Sequence, residues 1–123
     1  MARRRGRPHD RARTLALRER IAGVRVPVRF ERGDLRRPEE AVRHVDLALV
    51  AGVLGGVLAK PAEVLGALSS LRAGLTATGR AFAIDRFRAD RAARARTLVL
   101  ELAPRAGLRA TEHDFGVELV RAC

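Results

Sequence analysis

The sequence has no tryptophan and no tyrosine, and it has only four phenylalanines among 123 residues. A hydrophobic core must therefore be built mainly from leucine, valine and alanine, which specify a unique packing less sharply than mixed cores do. Hydrophobic residues make up 47% of the chain, a share that excludes wholesale disorder. The length is that of one domain with a modest core.

Cysteine and lysine are almost absent, because Cys123 and Lys60 are the only residues of their kinds. A single thiol cannot form an internal disulfide, so the sequence predicts a reducing, cytoplasmic location. No secretory signal is expected, because charged residues at 18–20 interrupt the only apolar segment near the N-terminus.

Arginine carries nearly all of the net charge of +11. Residues 1–43 hold 14 arginines against 6 acidic residues, residues 44–79 are neutral, and residues 80–123 hold 9 arginines against 6 acidic residues. Asparagine and glutamine are absent, and this composition is typical of GC-rich codons. Codon usage alone can thus explain much of the arginine, and an open reading frame with no selected function is one interpretation of the chain.

The first seven residues contain four arginines, and the last two of them lie in the stretch Arg5-Gly6-Arg7-Pro8. This tetrapeptide resembles the core of the AT-hook, a DNA-binding motif that lies extended in the minor groove of A·T-rich DNA. The resemblance covers the core and the preceding arginines, and it ends at His9-Asp10. It implies an arm at residues 1–13 that neutralises phosphates and enters a narrow, negative groove. The predicted nucleic-acid-binding residues are Arg3, Arg4, Arg5, Gly6, Arg7, Pro8, Arg11 and Arg13.

Residues 14–123 are predicted to form one small, mainly α domain behind this disordered basic arm. Alternating valines and Phe30 predict a short edge strand at 24–31, with Pro27 excluding a central position. Pro38 followed by two glutamates is typical of a helix start. We therefore predict a helix over about 38–60, paired as an αα-hairpin with a second helix over 61–75.

Small residues share one face of the first predicted helix and would let the second helix approach closely. These predicted helix-packing residues are Ala41, Ala48, Gly52, Gly55, Gly56 and Ala59. The stripe offers an alternative function in helix pairing, homodimerisation or membrane association. The apolar run 47–59 is too short to span a bilayer, which needs about 20 residues, so membrane insertion is not favoured.

The C-terminal third leaves two interpretations open. A third helix over 82–102 is indicated, but "TLVLEL" at 97–102 could instead pair with "FGVELV" as a β-hairpin. Thr111 and Asp114 have the spacing of a capping box, which favours a short C-terminal helix.

No catalytic or metal-binding constellation is recognised in the sequence. Glu112, His113 and Asp114 are consecutive, and consecutive residues rarely converge on one metal, so a capping or loop role is expected. The sequence therefore predicts a protein that is not an enzyme, with no cofactor, no metal and no identified small-molecule substrate. Nucleic-acid binding through the arm is the favoured function.

Overall fold

The computed structural model of the protein describes residues 27–84 and 89–122. The chain divides into two compact units, residues 1–32 and 33–123. In the first unit, the described residues 27–32 have no regular secondary structure. The predicted edge strand at 24–31 is therefore wrong where it can be compared. The predicted arm at 1–13 lies outside the described residues.

The second unit is a mixed α/β structure. Its elements are a 3-10 helix (Pro38–Glu40), β1 (Val45–Ala51), α1 (Pro61–Gly74), β2 (Leu75–Ile84), α2 (Ala89–Leu102), a second 3-10 helix (Pro104–Ala106), β3 (Leu108–His113) and β4 (Gly116–Arg121). The strands form one sheet in the order β1-β2-β4-β3. β1 is parallel to β2, whereas β4 is antiparallel to both β2 and β3. The prediction of a mainly α domain is thus wrong.

Helix α1 connects the two parallel strands, since such strands cannot be joined by a tight turn. It begins at Pro61, and the side chain of Glu63 accepts a hydrogen bond from the Lys60 N–H at 3.3 Å. Val64 and Leu68 are fully buried. Helix α1 confirms the second helix predicted from 61 to 75. Proline in the first turn and apolar residues at spacings of 4 and 3 explain why this segment is helical.

The first helix of the predicted αα-hairpin does not exist. Residues 38–40 form only a 3-10 turn, and residues 45–51 form strand β1. His44 and Gly52, at the two ends of β1, have φ angles of 59° and 68°, which no α-helix contains. The glycines that follow would each cost about 1 kcal/mol in a helix interior, which further disfavours a helix there.

The C-terminal third combines both open interpretations. The predicted third helix is β2 at its start and α2 from Ala89 onward, so "TLVLEL" is helical. "FGVELV" is part of a β-hairpin, but its partner is β3. Thr111 lies within β3, so the predicted capping box and C-terminal helix are wrong.

The sheet has one covered face and one open face. Core residues of both helices, of the loop after β1 and of alternate strand positions form a single cluster that includes Leu68, Val99, Ala81 and Leu119. The strand positions between them point the other way, and Leu47 and Leu49 of β1 are 60% and 66% exposed there. We call this second surface the open face.

Candidate functional site

The carboxyl ends of the two parallel strands lie side by side. Ala51 pairs with Ile84, and the Gly52 N–H donates to the Ile84 carbonyl at 3.0 Å. Gly116, at the start of β4, also pairs with Ile84, so the turn between β3 and β4 reaches this same edge. Open α/β sheets bind their ligands just beyond the carboxyl ends of the strands. The carboxyl ends of β1 and β2 are therefore the expected location of a binding site.

Five side chains gather on the open face next to this edge. We call them the open-face cluster, which consists of Arg80, Phe82, His113, Phe115 and Glu118. The rings of Phe82 and Phe115 are 5.8 Å apart at 55°. The His113 ring is stacked on Phe115 at 5.0 Å and 6°.

Strand register explains why these residues meet. Phe82 of β2 is directly opposite Glu118 of β4, and His113 of β3 is opposite Gly116. Arg80 lies two positions before Phe82, so its side chain is on the same face. The cluster thus depends on β4 lying between β2 and β3.

Glu118 is the polar centre of the cluster. His113 Nε2 is 2.8 Å from Glu118 Oε1, and Arg80 Nη1 donates to Glu118 Oε2 at 3.0 Å. The Glu118 side chain is 17% exposed, against 37% for His113. A carboxylate that accepts the Nε2 proton fixes the tautomer and leaves Nδ1 as the basic nitrogen. This carboxylate–imidazole pair is the arrangement used for general-base catalysis.

Glu112, His113 and Asp114, for which a capping or loop role was expected, do not converge on one point, and the first two lie in strand β3. Glu112 belongs to the strand positions of the covered face, and Arg96 of α2 contacts it at 3.5 Å. The Asp114 carbonyl accepts a hydrogen bond from Arg96. Only His113 of the three joins the open-face cluster. Within residues 27–84 and 89–122, no three His, Cys, Asp or Glu side chains gather as a metal site.

The predicted helix-packing residues do not form a helical stripe. Ala48 is in β1, Ala41 follows the first 3-10 helix, and the others lie in the loop after β1. Across the part of the chain that the structure describes, no helix combines the length and hydrophobicity needed to cross a membrane. The predicted nucleic-acid-binding residues, from Arg3 to Arg13, all lie outside the described residues.

Sequence reasoning missed four of the five cluster residues. Phe82 was assigned to the third predicted helix, Phe115 and Glu118 lay in the segment with two open interpretations, and Arg80 was given no role. The available signal was the alternation in "RAFAI" at 80–84 and "GVELV" at 116–120, which puts every second side chain on one face. What could not be read from one sequence is that β4 pairs with β2.

A second concave feature lies at the other end of the parallel strands. It is a pocket of about 250 Å³ between residues 33–45 and the last turns of α1. Its walls are mostly apolar, with Ser70, Asp34 and Glu40 as its polar groups.

Comparison with known proteins gives matches among solved structures. No protein-family model and no curated protein matches the chain. Among solved structures, the mitomycin 7-O-methyltransferase MmcR is similar, with a TM-score of 0.62 and 22% identity. The match covers 94% of this chain and 40% of that chain.

The prediction that the protein is not an enzyme is contradicted at the level of the fold, because the fold of this chain is similar to part of a methyltransferase. At 22% identity the likeness concerns the fold. The matched region is 40% of the length of that enzyme, and the fold of this chain is similar to that region.

Proposed function

We propose that this protein acts in methyl transfer to the hydroxyl group of a small aromatic molecule. The observation that carries the proposal is the similarity of fold, since a methyltransferase matches 94% of this chain with a TM-score of 0.62. The single cysteine further favours a cytoplasmic location, where thiols stay reduced.

The open-face cluster supplies the acceptor side of such a reaction. A hydroxyl group becomes a better nucleophile when a positioned base takes its proton during the reaction. We assign this role to Nδ1 of His113, with Glu118 orienting the ring from Nε2. Arg80 in turn holds the second oxygen of Glu118, so the carboxylate cannot rotate away from the imidazole.

The aromatic side chains indicate the class of acceptor. Phe82 and Phe115 present tilted rings, and Leu49 of β1 lies directly beside Phe82 on the same face. Aromatic pairs prefer ring centroids about 4.5–7 Å apart, so an aromatic acceptor can add to this arrangement without disturbing it. Phe115 is 44% exposed, which leaves one of the rings accessible.

The methyl donor implied by this fold, S-adenosylmethionine, carries ribose hydroxyls and an amino acid that need several hydrogen-bonding partners. The described residues at the carboxyl ends of β1 and β2 do not by themselves provide these partners. Ala51, Gly52 and Val53 offer apolar surface there, and the Gly52 N–H is already bonded to Ile84. No buried polar side chain in the described residues lacks a partner. We therefore derive no step through the donor.

The test is methyl incorporation from tritium-labelled S-adenosylmethionine into a panel of phenols and naphthols by the full chain. General-base removal typically costs about 10²–10⁴-fold in rate. We expect a loss of that size for His113→Gln and a smaller one for Glu118→Gln, which keeps the ring but loosens its orientation.

His44→Asn is the matched control, because His44 lies before β1, away from the cluster, and asparagine tolerates its positive φ angle. The control should leave the rate unchanged. Absence of incorporation by the intact chain at every neutral pH tested would falsify the proposed function. Equal rates for His113→Gln and His44→Asn would remove His113 from it.

A further inference from the structure

The pocket at the amino ends of β1 and β2 is a second candidate binding site, and it does not depend on the proposed methyl transfer. It lies at the opposite end of the strands from the open-face cluster. Val45 and Ala48 of β1 line one side, and Leu71 and Gly74 of α1 line another. An apolar cavity of about 150 Å³ already binds benzene in a protein core. A pocket of about 250 Å³ therefore has room for a larger ring system.

The outer wall of the pocket is fixed to α1 by polar contacts. Ser70 is 3% exposed, and its hydroxyl donates to the Leu35 carbonyl at 2.5 Å. Arg36 donates to Glu63 of α1 at 3.4 Å and also forms a salt bridge with Asp34 at 2.9 Å. These contacts hold residues 34–36 against the helix, so the pocket has a preformed wall.

The polar groups of the pocket are all hydrogen-bond acceptors. Asp34 and Glu40 are carboxylates, and the Ser70 hydroxyl already donates its proton to the Leu35 carbonyl. Among the described residues, no arginine, lysine or histidine lines the pocket. A ligand with an apolar body and a positive end is therefore complementary to it, whereas an anion meets two carboxylates.

Glu40 is the carboxylate best placed to receive a cation. Both oxygens of Asp34 already accept hydrogen bonds from Arg36, at 3.0 and 2.9 Å. The ion pair that the described residues give Glu40 is with Arg37, at 3.6 Å, which is too long for a good hydrogen bond. We propose that this pocket binds small aromatic amines, with the ring against Val45 and Ala48 and the ammonium group at Glu40.

The test compares three probes that share an indole ring, using calorimetry and amide NMR shifts on the full chain. The probes are tryptamine, neutral 3-methylindole and anionic indole-3-propionate. An exposed ion pair contributes at most about 1 kcal/mol, or roughly fivefold in affinity. We expect tryptamine to bind about two- to fivefold more tightly than 3-methylindole, and indole-3-propionate to bind most weakly. The largest shifts should occur at Val42, Val45 and Ala48.

Two variants separate the charge from the cavity. Glu40→Gln is expected to lower tryptamine affinity to that of 3-methylindole, while Glu39→Gln, one residue away and outside the pocket, changes neither. Equal binding of tryptamine and indole-3-propionate overturns the proposal, as does an equal effect of the two glutamate variants. Shifts confined to Phe82 and Phe115 also overturn it, because they place the amine on the open-face cluster.

Discussion

Gly55, in the loop after β1, lies so close to Ala95 of α2 that a methyl group on the glycine would overlap the Ala95 side chain. Gly55 also has a φ angle of +83°, in the region that residues with a Cβ rarely adopt. Ala95 is only 4% exposed. The absence of a side chain at Gly55 therefore allows the loop at the carboxyl edge to rest directly on the helix.

We expect Gly55→Ala to lower the free energy of unfolding by about 2–5 kcal/mol. The left-handed backbone costs roughly 1–2 kcal/mol for alanine, and forced overlap in a packed region adds about 1–3 kcal/mol. Urea denaturation measures the change. Gly33→Ala is the control, since nothing lies within 4 Å of its Cβ position, and it should stay within about 0.5 kcal/mol. Similar losses for both variants would contradict the packing of Gly55 on Ala95.

Leucine-to-alanine substitutions on the two sides of the sheet should have different effects on stability. Leu68 of α1 is fully buried, so Leu68→Ala should destabilise the protein by about 2–5 kcal/mol through lost burial and a cavity. Leu47 of β1 is 60% exposed on the open face, so Leu47→Ala should change stability by less than about 0.5 kcal/mol. Thermal unfolding of both variants decides. A large loss for Leu47→Ala would mean that the open face is covered in solution.

Asp34 gives the stability a pH dependence in the acid range. Its hydrogen bonds from Arg36, together with the arginine charge, lower the pKa of Asp34 from 3.8 to about 2. Between these values the unfolded chain binds more protons, so stability falls as the pH drops through this window. The melting temperature of Asp34→Asn should therefore be lower than that of the natural protein near neutral pH, and the difference should vanish near pH 2.

Glu39→Gln serves as the control for this titration, because the described residues show no ion pair for Glu39. A difference between Asp34→Asn and the natural protein that persists unchanged to pH 2 would rule out the Asp34–Arg36 pair as its source.

DNA binding by the arginine-rich arm stays a prediction of the sequence. Phosphate contacts release counterions, so affinity for A·T-rich duplex DNA should fall steeply as salt rises. Deletion of residues 2–13 should remove most of that affinity. Gel-shift titrations of both proteins across a salt series measure this. Equal affinity of the two would exclude the arm as the binding element.

Helix α1 could be predicted because its signals are local. Pro61 fits the first turn of a helix, and Val64, Leu68 and Leu71 repeat at the period of one. These signals depend only on neighbouring residues, so they can be recognised without knowing the rest of the fold. The alternation at 116–120 is local in the same way, although the neighbouring capping signal at Thr111 pointed elsewhere.

Strand β1 could not be predicted by the same reasoning. Residues 47–51 are apolar at every position, and such a run has no period that distinguishes a buried helix from a strand. Parallel strands often lack alternation because both of their faces are normally buried. The open-face cluster was hidden for a related reason. It depends on the pairing of β4 with β2, in which Phe82 and Glu118 are 36 residues apart in the sequence.

The two outermost strands of this sheet, β1 and β3, differ in their chemistry. β3 ends the sheet with Arg109, Thr111 and Glu112 exposed, and charged edges resist the addition of further strands. β1, at the other end, offers residues 47–51 without a charge or a proline. Among the described strands, β1 is therefore a better partner for a further strand than β3. A strand added beside β1 in parallel would place a third carboxyl end next to those at Ala51 and Ile84. An antiparallel strand would place its amino end there instead.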